Sequence, residues 1–177
     1  MHNGHGSPIL NWDASPDGKT LWCVEMSTNM LYSFDMTKDG TVLPGKSHGP
    51  LLAGMNDKGK PRVTDCRAMC VGPSGKMWAA VTEHGIPSGA QLYLLSYSAG
   101  EKGVRNHGKV GVGNPQDLKF TGEAGKPLPW HHAMRKEKDG TLTPWVPMGV
   151  CEAGDGNVYV LTIAPFTLVK YRPEQVK

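Results

Sequence analysis

Apolar and polar residues alternate along this chain in short runs, each closed by a turn that carries glycine or asparagine. Thr20-Leu21-Trp22-Cys23-Val24-Glu25 is such a run, bounded by Asp17-Gly18 before it and Ser27-Thr28-Asn29 after it. A run this short between turn residues predicts a β-strand rather than a helix. Over residues 30–36, Leu31, Ser33 and Asp35 fall on one face and Tyr32, Phe34 and Met36 on the other, so one face is expected to be buried more fully. Ile9-Leu10 with Trp12 predicts a strand upstream, and Thr41-Val42-Leu43 an outer strand that ends in the Gly- and Pro-rich residues 44–50. These four strands, joined by tight turns, form an antiparallel meander. The polar residues 56–61 read as an exposed loop.

The same order then returns. Ala68-Met69-Cys70-Val71 corresponds to the first strand, Pro73-Ser74-Gly75-Lys76 to the turn, and Met77-Trp78-Ala79-Ala80-Val81 to the second strand, with Trp78 matching Trp22. Residues 83–89 form a longer loop, residues 91–97 the third strand and residues 104–112 the fourth. Residues 113–129 carry little pattern, but Lys138-Asp139-Gly140-Thr141-Leu142-Thr143-Pro144 echoes Lys38-Asp39-Gly40-Thr41-Val42-Leu43-Pro44. A last copy begins at Met148-Gly149-Val150-Cys151-Glu152, turns at Asp155-Gly156-Asn157, and continues through residues 158–163 and 166–172. No fourth strand follows it.

Self-similarity at a period of about 40 to 50 residues, with four short strands per copy, predicts an all-β chain, a β-propeller in which each copy is a blade. The expected blades are residues 8–54, 64–112, a degenerate 113–146 and an incomplete 147–177, within one domain. A propeller closes with about four to eight blades. Three to four antiparallel blades therefore predict a segment of a larger propeller, or a chain that closes with another copy of itself.

Composition narrows the function classes. A formal charge of +3, with Lys and Arg scattered along the chain, gives no support to nucleic-acid binding. Apolar runs such as residues 158–163 are too short to span a bilayer, and the N-terminus shows no signal-peptide pattern, so a soluble chain without a membrane partner is expected. The spacing of Cys23, Cys66, Cys70 and Cys151 fits neither a disulfide framework nor a zinc ribbon, and predicts small strand residues instead.

Ser15-Pro16-Asp17-Gly18-Lys19-Thr20-Leu21-Trp22 with Glu25, followed by Asn29, Leu31-Tyr32-Ser33-Phe34-Asp35, resembles the blades of YVTN and NHL type repeats and of the regucalcin and gluconolactonase superfamily. The resemblance implies a propeller whose ligands sit at the mouth of the central channel, on loops that enter first strands or leave second strands. Mapped there are Glu25, His48, Asp65, Arg67, Glu83 and His84, with His5 beside them. These groups could bind a divalent cation such as Ca or Mn through carboxylate and imidazole, or an acidic sugar through Arg67 with a histidine as base. Gluconolactonase-like enzymes hold their metal with Glu, Asn and Asp. The Asn position falls on Leu10, beside Asn11, and the Asp position on Arg67, with Asp65 two residues earlier; a β-bulge in each strand would be needed to restore that register. His131 and His132 are secondary candidates, only one of which can face a site if they lie on a strand, and Trp130 could stack on a sugar ring. The His-Gly pairs at His5, His48, His84 and His107 fit loop composition.

The leading expectation is a propeller scaffold that binds a small molecule or glycan at the channel mouth, without a complete catalytic site. A metal-dependent sugar-lactone hydrolase or polysaccharide lyase is the alternative from the enzyme classes, and a protein-interaction propeller the third.

Overall fold

The structure is a computed structural model that describes residues 9–25, 29–56, 58–84, 91–109, 135–136, 142–143, 147–163 and 166–172. All regular structure among them is β. Strands β1 (Ile9–Ala14), β2 (Thr20–Glu25), β3 (Met30–Asp35) and β4 (Lys46–Pro50) make the first sheet. The second contains β5 (Val63–Val71), β6 (Met77–His84), β7 (Gln91–Tyr97) and β8 (Arg105–Lys109). After the two-stranded pair β9 (Arg135–Lys136) and β10 (Leu142–Thr143) comes the third sheet, β11 (Pro147–Glu152), β12 (Val158–Ile163) and β13 (Phe166–Tyr171). Within each sheet the strands are antiparallel and in sequence order, as tight turns dictate.

The turns explain the strand starts. Gly18, Gly75 and Gly156 have φ of +69°, +78° and +77°, a region that costs glycine nothing. Each turn is closed by a backbone bond at its base, Ser15 N to Thr20 O, Gly72 N to Lys76 O and Ala153 N to Asn157 O. The first turn is one residue longer than the other two, so Trp22, Trp78 and Tyr159 share one register despite their different distances from the glycine.

Sheets one and two stack through Trp22, Val24 and Leu31 against Met77, Ala79, Val81, Leu95 and Tyr97, with Leu51 and Leu52 of the connecting segment filling the same core. Sheets two and three stack through Ala68, Trp78, Ala80, Leu92 and Leu94 against Val150, Val158 and Val160. The first strands adjoin, β1 beside β5 and β5 beside β11. The second and third sheets thus meet directly. The degenerate unit expected at 113–146 lies mostly outside the described residues, apart from β9 and β10.

Three expectations shift. The fourth strand of sheet one is Lys46–Pro50 rather than a strand begun at Thr41; Val42 contributes only an isolated bridge to Met36. An outer edge strand need not carry apolar alternation, which is why this Gly- and Pro-bearing strand was read as a tail. Strand β5 begins at Val63, and β6 runs through Glu83 and His84, which were expected in a loop. Both extensions belong to the middle sheet, where neighbours on either face supply the burial that sustains longer strands. In β3, Leu31 and Ser33 are buried while Tyr32 and Phe34 are half-buried, so the expected asymmetry holds.

Candidate functional site

Backbone register brings several of the expected residues to one end of the stack. Val63 pairs with His84, Thr64 with Glu83 and Asp65 with Thr82, and Glu25 lies where β2 ends in sheet one, opposite Met30. For Glu25, Asp65, Arg67 and His84 the structure describes the backbone. All three first strands carry a register irregularity at the same place: between Ile9 and Asn11, between Cys66 and Ala68, and between Pro147 and Gly149. The extra residues are Leu10, Arg67 and Met148. A bulge bends its strand and re-aims a side chain, and here it recurs in each first strand.

Glu83 is fully buried and forms a bidentate pair with Arg62, Nε to Oε1 at 2.7 Å and Nη2 to Oε2 at 2.6 Å. The guanidinium also lies over the Tyr93 ring, 5.4 Å from its centroid. Its pKa is pushed above the ordinary range, first by hydrogen bonding to Glu83. A carboxylate gripped by both arms of one guanidinium has little capacity left for a metal or a proton transfer. Asn11 is similarly engaged: its Nδ2 donates to the Cys66 carbonyl at 2.5 Å, beside the bulge of the neighbouring strand. Among the described residues no group of three His, Cys, Asp or Glu could hold a metal ion.

His48 lies half-buried on the outer strand β4 rather than in a loop. Its Nε2 lies 2.6 Å from Ser33 Oγ and its Nδ1 2.9 Å from Tyr97 Oη, with its ring 5.2 Å from that of Trp22. In sheet two, His107 Nε2 lies 2.7 Å from Ser96 Oγ and its ring 5.1 Å from Trp78. Trp22 and Ser33 are cross-strand partners, as are Trp78 and Ser96. Sheets one and two therefore each close their outer strand with a Trp–Ser–His arrangement on strands two, three and four. A Ser–His contact could signal a nucleophile and its base, but Ser33 and Ser96 are buried between sheets, where no substrate reaches. Burial holds both imidazoles below their usual pKa, His107 down to about 4, and its Nδ1 has no hydrogen-bond partner among the described residues. Of the four histidines in His-Gly pairs, His48, His84 and His107 thus lie on strands; His5, and the secondary candidates Trp130, His131 and His132, lie outside the described residues.

Sequence reading missed Asn29, Arg62 and Glu152. Asn29, buried at φ +59°, accepts from Leu52 N at 2.9 Å and from Thr64 Oγ1 at 3.2 Å and donates to Leu52 O at 2.8 Å, tying sheet one to the start of β5. The available signal was an Asn at a turn, a residue that tolerates left-handed backbone. Glu152 accepts from Trp78 Nε1 at 2.9 Å and Ser74 Oγ at 2.7 Å. Burial raises the Cys23 thiol pKa and pushes Cys70 up to about 12, which makes both poor nucleophiles. No family model matches this chain, and no curated protein matches it. Among the described residues no helix is long and apolar enough to cross a membrane.

Proposed function

We propose that the stacked sheets are consecutive blades of a β-propeller segment akin to the regucalcin and gluconolactonase, NHL and YVTN repeats, and that the segment is a scaffold binding a small molecule or glycan at one mouth. The observation that carries this is the repeated bulge at Leu10, Arg67 and Met148 in adjoining first strands. Irregularities retained at one register in three adjoining strands fit a surface that is shaped for a ligand. Arg67 is the central bulged residue and Asp65 precedes it by two, a pair of residue types that carry charge of both signs. Glu25 and His84 stand at the same end of their strands, whereas Glu83 and His48 act as struts.

Commitment of Glu83 to Arg62 weighs against the metal-dependent lactonase or lyase alternative. Titration with acidic and neutral sugars, followed by thermal shift and by chemical-shift changes, tests the scaffold reading. Binding that Arg67→Ala weakens by about tenfold or more is expected. A sugar panel that leaves every backbone resonance near Asp65 and Arg67 unmoved overturns it. Stabilisation by millimolar Ca or Mn would restore the metal-enzyme alternative.

A further inference from the structure

The register common to the three sheets defines two kinds of face. On the face turned toward the preceding sheet, Met69, Met77, Ala79, Leu95 and Tyr97 of sheet two correspond to Val150, Val158, Val160, Val169 and Tyr171 of sheet three. The equivalent residues of sheet one are Trp12, Leu21, Cys23, Tyr32 and Phe34. In sheet two Met77, Ala79 and Leu95 are fully buried, whereas in sheet one, although Cys23 is buried, Trp12 is 64% exposed and Leu21, Tyr32 and Phe34 are only half-buried.

On the opposite face, Trp22, Val24 and Leu31 correspond to Trp78, Ala80 and Leu94, all buried, and to Tyr159, Leu161 and Leu168 of sheet three, which are half-buried. No described element covers either end face. They are the two halves of an interface that this chain builds twice internally.

Contacts along the first strands follow the same series. Asp13 accepts from Val71 N at 2.8 Å, and Cys70 is the residue of sheet two in register with Asp13, placed beside Glu152 as Asp13 is beside Val71 in the strand order. Cys151 is the next in that series, and it is exposed. Its counterpart across the next such interface would be Ala14, which is in register with Val71 and Glu152.

We propose that a second copy of this chain docks head to tail, with the Trp12 face of one copy on the Tyr159 and Leu168 face of the other. The occupant is argued from complementarity: each end face has the register of a partner already mated inside the chain, and a two-fold ring would use both end faces of each copy. The inference depends on the shared register and not on what the bulged end binds, so it can fail while the ligand reading stands.

The test is light scattering on the full chain and on two charge variants, Trp12→Glu and Leu168→Glu, with circular dichroism to verify folding. Wild type should associate as concentration rises, each variant alone should remain monomeric, and an equimolar mixture should form a heterodimer through the one intact pair of faces. A monomeric wild type, a single variant that still self-associates, or a mixture that stays monomeric each overturns the proposal. Cross-linking needs no disruptive charge: Ala14→Cys should oxidise to a covalent species between copies, lost on adding Cys151→Ser and not seen for Lys38→Cys. Equal cross-linking of Ala14→Cys and Lys38→Cys would also overturn it.

Discussion

The two interfaces between sheets are built on the same apolar mould and differ in their polar fittings. Between sheets one and two, His48 bridges Ser33 and Tyr97, Asn29 ties the loop after β4 to Thr64, and Arg62 and Glu83 close one edge. Between sheets two and three a single carboxylate, Glu152, takes hydrogen bonds from Trp78 and Ser74. The apolar surface sets how the sheets stack, since apolar residues recur at the same register positions of both interfaces. The polar groups are local solutions that satisfy whatever the stacking has buried.

Removing the shared element should hurt most. Trp22→Ala and Trp78→Ala should each cost about 4 kcal/mol by denaturant unfolding, because a large side chain leaves a cavity its sheet cannot close. Similar losses would establish that the apolar mould matters equally at both interfaces. Arg62→Ala should cost about 3 kcal/mol, since it strands the buried Glu83 carboxylate, while Glu83→Gln should cost less because Arg62 is partly solvated. A larger loss from Glu83→Gln would reverse that assignment.

Gly72→Ala probes the second interface alone. A Cβ there would fall 2.6 Å from Glu152 Cβ, so about 2 kcal/mol of destabilisation is expected, and Glu152→Ala in the same chain should remove the clash and reduce the further cost. Acid should separate the interfaces as well. With His107 lowered to about 4 from an ordinary 6.5, the unfolded chain binds the proton more tightly than the folded one. The neutral imidazole's contribution is full above pH 6.5 and is lost as pH falls toward 4. The melting temperature should drop by about 5 °C over that window, and less in His107→Gln. The smallest effect belongs to the surface: Lys46→Ala breaks an exposed 2.7 Å pair with Asp35 and should change stability by less than about 0.5 kcal/mol.

Strands with apolar runs were legible because their neighbours are turns of definite chemistry; β2, β7 and β12 fall where the sequence put them. Strand β4 was misplaced since an edge strand can be polar, and the extent of β5 and β6 because length there comes from packing on both faces. The candidate end was legible in part. The backbones of Asp65, Glu83 and His84 lie at one end of sheet two, but chain order gives no hint that Arg62 takes Glu83 or that His48 turns inward to Ser33. Such pairings join residues 15 to 49 positions apart: Ser33 and His48 meet across neighbouring strands of one sheet, and only the stacking of two sheets brings Tyr97 to His48.

The sequence by itself determined the all-β class, the turn positions and the strand alternation that aligns Trp22, Trp78 and Tyr159. These rest on local rules, the left-handed glycine and the alternation of side chains along a strand, which act within a few residues. Tertiary structure alone decided which polar residues are struts, where the first strands bulge, and that no described element covers one face of each end sheet. Burial is a property of neighbours, and the neighbours of each strand lie in another sheet.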